Sequence, residues 1–248
     1  MIDAVKLRIL QGDPIVHDVK NANLPKLFRG LPVIAGKPCP AGCDKCAAAC
    51  PVRAITADPV KIDLGRCTFC PLCEEACPEK LIHYTNNYHI ASDKRESLIV
   101  TKDTQAITSA SAAKKIRDYF GKSLKLRQVS AGGCNGCELE LNALNNVNFD
   151  MGRFGIEFVA SPRHADGIVI TGPVTRNMAN PLQICYEAVP NPKIIILVGA
   201  CAIAGHVFED SAQVQRKFLA ENKIDLYVPG CPPHPLTFIT GILRFIGR

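Results

Sequence analysis

Twelve of the thirteen cysteines in this 248-residue chain stand at spacings suited to holding metal. Cys39-x3-Cys43-x2-Cys46-x3-Cys50-Pro51 is followed by Cys67-x2-Cys70-x2-Cys73-x3-Cys77-Pro78. The second run matches in full the cysteine pattern that carries paired four-iron cubes. In that pattern the first three thiolates of a run hold one cube and the fourth reaches across to the other. Cys39, Cys43, Cys46 and Cys77 are then one expected set, and Cys67, Cys70, Cys73 and Cys50 the other. The two runs are an internal duplication: Cys43, Cys46 and Cys50 recur at a constant offset as Cys70, Cys73 and Cys77, and Ala49-Cys50-Pro51 echoes Ala76-Cys77-Pro78. Cys39 recurs as Cys67 at an offset greater by one, so the first loop has one additional residue. That x3 spacing alters the turn presenting the Cys39 thiolate and leaves its ligand role open. Pro38 and Pro40 stiffen the turn.

A third set is built differently. Gly132-Gly133-Cys134-Asn135-Gly136-Cys137 offers two thiolates from one turn, and Cys201 and Cys231 stand alone, each beside glycine. Four thiolates suit either a four-iron cube or zinc, and spacing alone leaves both open. Gly132, Gly133 and Gly136 permit positive φ and close backbone approach, so that N–H groups can point at sulfur. Glu138 follows directly. Desolvation there would raise its pKa and suit it to proton transfer; the other reading is a first-turn carboxylate favoured by the helix dipole. Cys185 reads as a buried small hydrophobe, His206 as a structural histidine and His234 as a loop contact.

These groups need elements to hold them. After residue 122 strand and helix patterns alternate: strands at Leu124–Val129, Gly155–Ala160, Gly167–Thr171, Lys193–Val198 and Asp225–Val228, with helices at Cys137–Val147, Leu182–Ala188, Ala212–Glu221 and Pro235–Ile246. Alternation of this kind predicts an α/β fold with a flavodoxin-like parallel sheet. Cys134, Cys201 and Cys231 all follow strands, at the carboxyl edge where such sheets gather ligands. The N-terminal runs predict a smaller ferredoxin-like α+β two-cluster domain. The expected division is 1–85 for that domain and its leader, 86–121 for a linker and a bridging helix from Asp103 to Gly121, and 122–248 for the α/β domain. Val5, Leu7 and Ile9 suggest a short strand. The leader up to Pro38 is either an arm for a partner or a cover for its own domain, and Tyr84–Leu98 reads as a polar connector.

Composition narrows the class. A hydrophobic content of 47% supplies a sizeable core,. The net charge of +6 is spread without basic runs, which argues against nucleic acid,. Cysteines at ligand spacings and a Met1–Asp13 stretch without an export pattern point to a reducing cytoplasm. The apolar run Ile194–Ala204 is too short to span a bilayer. A Walker loop, a dinucleotide fingerprint and a nucleophile elbow are all missing, so the expected catalytic centre lies in a partner.

The C-x2-C pair, Cys201, Cys231-Pro232, Pro162-Arg163-His164-Ala165-Asp166 and Thr171-Gly172-Pro173-Val174-Thr175 together resemble the small subunit of energy-converting nickel-iron hydrogenases of the formate hydrogenlyase type, related to the quinone-side iron-sulfur subunit of complex I. The resemblance covers roughly residues 122–248. It implies that Cys134, Cys137, Cys201 and Cys231 hold a proximal 4Fe-4S cluster facing a nickel-iron large subunit, with His164 in a subunit-contact loop. With the two sets expected from the N-terminal runs this makes three 4Fe-4S clusters in all, although in the resembled complexes the two-cluster ferredoxin is usually a separate polypeptide. The resemblance further implies membrane subunits and further ferredoxin or dehydrogenase subunits as partners, and a peripheral place on the inner face of the cell membrane. The sequence ends at Arg248, soon after Cys231, without the C-terminal cluster domain of periplasmic uptake hydrogenases. In the complex I branch two adjacent cysteines replace C-x2-C, so Cys134 and Cys137 favour the hydrogenase side. The alternative is a complex I-like quinone or ferredoxin oxidoreductase without nickel; a stand-alone carrier and a zinc-stabilised interaction protein are the remaining options.

Overall fold

A computed structural model describes residues 2–107 and 118–248. The N-terminal half runs α1 (Ile2–Gln11), β1 (Pro32–Ile34), α2 (Lys45–Ala48), β2 (Ile55–Ala57), β3 (Val60–Asp63), α3 (Leu72–Ala76), β4 (Ile82–Tyr84) and β5 (Ile99–Val100). β1 pairs antiparallel with β4, and β2, β3 and β5 form a second antiparallel sheet. The duplication read in the cysteines is also one of backbone. The offset from Lys45 to Leu72, where α2 and α3 start, equals that from Ile55 to Ile82, where β2 and β4 start. Between helix and strand each repeat turns through a residue at φ 50°, Arg53 in the first and Lys80 in the second. Ile62, Leu64, Leu98 and Val100 are fully buried beneath the cysteine loops.

The C-terminal half runs β6 (Leu124–Ser130), α4 (Gly136–Ala143), β7 (Ile156–Phe158), β8 (Gly167–Thr171), α5 (Arg176–Ala188), β9 (Ile194–Val198), α6 (Ala200–Ala204), α7 (Lys217–Glu221), β10 (Leu226–Val228) and α8 (Pro235–Phe245). The sheet is wholly parallel, in the order β10-β9-β8-β6-β7. Numbered within this half the order is 2-1-3-4-5, the doubly wound flavodoxin-like arrangement, with its switch point between β6 and β8. The central strands GIVIT and IIILV are buried at every residue, as strands covered on both faces must be,. The apolar helix α8 and the residues Leu141 and Leu144 at the end of α4 cover one face; Leu182, Val189 and Phe218 lie on the other. That second core continues into the N-terminal half through Ile203, Cys67, Ile62 and Leu98.

Several expectations change. Val5, Leu7 and Ile9 lie on helix α1, not on a strand. A lone strand would leave its backbone groups unpaired, whereas Asp3 in the first turn and Arg8 in the last favour a helix,. The following stretch covers its own chain: Val16, Val19, Leu24 and Phe28 pack on the α/β core, and the Tyr88 hydroxyl donates to the Val19 carbonyl at 2.8 Å while accepting from the Ala22 N–H. Tyr84–Leu98 is not a loose connector either. Tyr88, Ile90, Ala91 and Ser92 are buried, and Ser92 makes two backbone bonds with Tyr227, extending the edge at β10. Its polar pattern hid a segment buried by distant partners. α5 begins at Arg176, earlier than the sequence pattern indicates, and accommodates Pro181, while α4 and α7 are shorter than expected. Of the anticipated bridging helix, residues 103–107 form turns and bends and 118–120 are helical; the remainder lies outside the described residues.

Candidate metal centres

The cysteines of the two N-terminal runs gather crosswise. Cys39, Cys43, Cys46 and Cys77 line one small cavity, walled by Ile34, Val60, Leu81 and Ile82. Cys50, Cys67, Cys70 and Cys73 line a second, walled by Val52, Ala54, Ile55 and Tyr84. Short helices present the inner thiols: Cys46 sits in α2, Cys73 in α3, and Cys77 follows α3 directly. The additional residue of the first loop is absorbed in a turn, in which the Cys43 N–H bonds the Pro40 carbonyl and Gly42 takes φ 71°. Cys39 consequently faces the same cavity as Cys43 and Cys46.

The third group stands at the carboxyl edge of the parallel sheet. Cys134 and Cys137 follow β6, Cys201 lies in α6 immediately after β9, and Cys231 follows β10. The four stand close together: after burial, Cys201, Cys231 and Cys134 all help raise the pKa of Cys137, Cys231 and Cys134 that of Cys201, and Cys134 that of Cys231. Cys134 and Cys231 are exposed, while Cys137 and Cys201 are partly covered. Of the three glycines singled out in this loop only Gly132 takes positive φ; the left-handed residue between the cysteines is Asn135, at φ 73°. Glycine matters more at two neighbouring positions. A β-carbon on Gly199 (φ 89°) would strike the Cys137 sulfur, and one on Gly172 (φ 78°) would meet the Gly133 nitrogen at 2.5 Å.

Burial dominates the acidity of these thiols. It pushes Cys67 up to about 12 and Cys201 up to about 11, and raises Cys137 further, with neighbouring anionic groups adding to the effect. Without a cation such thiols remain protonated at neutral pH. A bound metal reverses the balance, because ligation requires the thiolate and releases the proton. Four soft sulfur donors around an apolar-walled space fit a thiolate-bound metal group at each of the first two locations. Among the described residues, no three His, Cys, Asp or Glu side chains converge as a site for a single metal ion.

Several polar groups surround the sulfurs. Glu138 is buried in the first turn of α4, where its Oε1 accepts from Ser130 Oγ and Thr171 Oγ1, both at 2.6 Å. Burial alone would raise its pKa, but these two hydrogen bonds hold the carboxyl below its usual range. The expected upward shift is therefore reversed. The carboxylate joins α4 to the ends of β6 and β8. Half-buried Arg216 donates to the carbonyls of Cys201, Ala202 and Ile203, closing the end of α6. The Tyr84 hydroxyl lies 3.5 Å from both Cys67 Sγ and Cys73 Sγ, and burial pushes its pKa far up, so it stays a neutral donor. Sequence reasoning passed over Tyr84 and Arg216; the signal for Tyr84 is that its counterpart in the first repeat is Ala57.

The remaining candidates separate. His234 caps α8 through Nδ1 and stands edge-on to Phe28 and Phe149, so it is a helix cap, not a simple loop contact. His164 and Arg163 lie in the short 3-10 turn before β8, away from the cysteine groups, and neither is buried. Cys185 is partly buried against the core, beside Arg127. His206 Nε2 is buried with no hydrogen-bond partner among the described residues.

Between the two halves lies an ionic junction. Arg66, next to Cys67, makes a two-pronged bond to Glu209, and Arg53 bonds Asp210 at 2.5 Å. Within the N-terminal half, Asp63 accepts from Arg95 at 2.6 Å and stands 3.6 Å from Arg66. Gly65 is pressed against Ile203 of α6, so closely that a β-carbon there would meet the isoleucine at 2.7 Å. The loops that present Cys50 and Cys67 thus touch the segment that presents Cys201.

Residues 134–245 match the family described as NADH ubiquinone oxidoreductase, 20 Kd subunit. The probable membrane-bound hydrogenase subunit mbhJ of Pyrococcus furiosus is 39% identical over 125 residues, 50% of this chain and 75% of that protein. Formate hydrogenlyase subunit 7 of Escherichia coli is 42% identical over 142 residues, 57% of this chain and 54% of that protein. An NADH-quinone oxidoreductase subunit of Geotalea daltonii is 44% identical over 108 residues, 44% of this chain and 63% of that protein. With a relative at this identity covered over three quarters of its length, and the match beginning at Cys134 itself, this chain belongs to the NADH ubiquinone oxidoreductase 20 kDa subunit family.

Proposed function

We propose that the chain is the electron-transfer subunit of a membrane-associated nickel-iron hydrogenase complex and carries three 4Fe-4S clusters. Cys39, Cys43, Cys46 and Cys77 hold one, Cys50, Cys67, Cys70 and Cys73 the second, and Cys134, Cys137, Cys201 and Cys231 the third. The observation that carries this reading is the sorting of twelve cysteines into three groups of four, two of them completed crosswise between repeats. A cube bears one thiolate on each of four irons, so its ligands ring a volume. A single zinc ion draws four sulfurs to one point. Bound clusters supply one-electron storage at potentials set by their surroundings.

In this reading residues 1–85 are a two-cluster ferredoxin-like unit with its leader, joined by 86–121 to the family domain at 122–248. The exposed edge of Cys134 and Cys231 meets a nickel-containing large subunit that holds the catalytic centre. The set at Cys50, Cys67, Cys70 and Cys73 lies next in line because its loops adjoin α6. The set at Cys39, Cys43, Cys46 and Cys77 is outermost and meets the external donor or acceptor, a ferredoxin or dehydrogenase subunit. The chain sits on the inner face of the cell membrane through partner subunits; no described helix is long and apolar enough to cross a membrane. A second reading, a complex I-like quinone or ferredoxin oxidoreductase without nickel, is favoured by the likeness to the Geotalea daltonii protein.

The test is anaerobic purification of the native complex, with metal analysis and hydrogen assay. About twelve irons per chain, as three cubes require, with nickel and hydrogen turnover, support the first reading. The same iron without nickel or hydrogen turnover supports the second. Zinc in place of iron overturns both.

A further inference from the structure

The two N-terminal cysteine sets come from repeats whose backbones match, yet their sulfurs are not equivalently bonded. One pair of bonds obeys the duplication: the Ala54 N–H donates to Cys50 Sγ, and at the matching place in the second repeat the Leu81 N–H donates to Cys77 Sγ, both at 3.3 Å. Each set receives one of these. The Tyr84 hydroxyl breaks the symmetry. It stands 3.5 Å from Cys67 Sγ and from Cys73 Sγ, in the wall of the cavity at Cys50, Cys67, Cys70 and Cys73. Ala57, its counterpart in the first repeat, lines the groove beside Cys39 and Cys43 and has no polar side-chain atom to offer. The Phe69 N–H adds a bond to Cys67 Sγ at 3.2 Å, again on the inner set.

We infer that Tyr84 is a positioning residue that makes the two N-terminal clusters inequivalent, raising the reduction potential of the inner one by hydrogen bonding to its thiolates. The inference rests on the three-cluster reading above. Its physical basis is simple. Reduction adds one electron to the cluster and makes its sulfurs more negative, and a donor aimed at those sulfurs stabilises the reduced form more than the oxidised form. The proton stays on the phenol oxygen, and no bond is made or broken. Because the inner set adjoins α6 through Gly65–Ile203, and the turn after α6 through Arg66–Glu209, the electron is held on the cluster nearest the third cysteine group. Ring position is fixed independently of the hydroxyl: Tyr84 ends strand β4 and its ring lies 6.3 Å from that of Phe69.

The experiment is an anaerobic redox titration of the purified complex, followed by electron paramagnetic resonance, for the wild type and Tyr84→Phe. Cys70→Ser marks which signal belongs to the inner set. Loss of the hydroxyl is expected to lower the reduced fraction of that cluster at fixed potential by up to about tenfold, 59 mV for a one-electron couple, with the other two signals unmoved. Incorporation of 3-fluorotyrosine at position 84, a stronger donor of nearly the same shape, shifts the same signal upward and answers the question should Tyr84→Phe fold poorly. Unchanged potentials in both proteins, or equal shifts of all three signals, overturn the role of Tyr84 and leave the three-cluster reading standing. A wild type without four-iron signals overturns that reading, and the inference with it.

Discussion

Gly172→Ala tests how the third cysteine group is held. Gly172 follows β8 and faces Gly133, the residue before Cys134, across the switch point of the sheet. An alanine there meets two penalties. Its φ of 78° is left-handed, which costs an L-residue roughly 1–2 kcal/mol. Its β-carbon would stand 2.5 Å from the Gly133 nitrogen and 3.1 Å from the Gly132 nitrogen, where ordinary contact begins at 3.4 Å. These neighbours are backbone, so the cysteine loop must move by about 1 Å, an overpacking strain of about 1–3 kcal/mol. The sum is roughly 2–5 kcal/mol, and at about 2–4 °C per kcal/mol for a chain of this size the melting temperature should fall by roughly 10 °C. Iron should fall selectively, from about twelve to about eight per chain, as one four-iron cube is lost. Iron analysis, electron paramagnetic resonance and thermal melting are the assays, with Gly36→Ala as control because nothing stands within 4 Å of its β-carbon. Full iron and an unchanged melting temperature in Gly172→Ala would refute the reasoning.

Three further outcomes are expected. Glu138→Ala strands the Ser130 and Thr171 hydroxyls and should cost about 1.5–3 kcal/mol by chemical denaturation; Glu138→Gln keeps an acceptor oxygen and should recover most of it, and equal losses in the two would remove the hydrogen-bonding account. The Arg66 guanidinium holds the Glu209 carboxyl below its usual range, so its contribution is complete above the unfolded carboxyl pKa of about 4.3 and is lost as pH falls through the lower folded value; the partly exposed pair is worth about 1 kcal/mol, and the melting-temperature gap between wild type and Glu209→Gln should close on acidification from pH 6 towards pH 3. After iron is chelated anaerobically, iodoacetamide at pH 8 should label exposed Cys134 well before Cys67, whose thiol burial pushes up to about 12,; mass spectrometry of the labelled peptides reads the order, and equal rates would contradict the burial.

What was legible in the sequence follows a physical rule. Strands β8 and β9 were readable because strands covered on both faces must be apolar throughout, and Gly167–Thr171 was bounded to the residue. The crosswise sorting of Cys50 and Cys77 was readable because thiol spacing is itself the geometry. Pairing without a local signature was not. Ser92 owes its burial to Tyr227, in the other half of the chain, and nothing in the polar run around it announces that partner. The α1 region misled for the opposite reason: Val5, Leu7 and Ile9 alternate like a strand, but a strand needs a neighbour and none of the described strands pairs with this segment. Glu138 shows the same limit in electrostatics. Its position after Cys137 foretold burial, and only the fold could supply the two hydroxyls that reverse the expected shift.

The exchange of Cys50 and Cys77 between repeats also sets a timetable for synthesis. Cys39, Cys43 and Cys46 leave the ribosome together, yet their cavity is not closed until Cys77 follows, by which time Cys50, Cys67, Cys70 and Cys73 have all emerged. Neither repeat lines its cavity alone. The earlier-made cavity is therefore the later to be completed. An ancestral duplication fixed in this way resists being undone, since deleting one repeat removes a wall from each chamber.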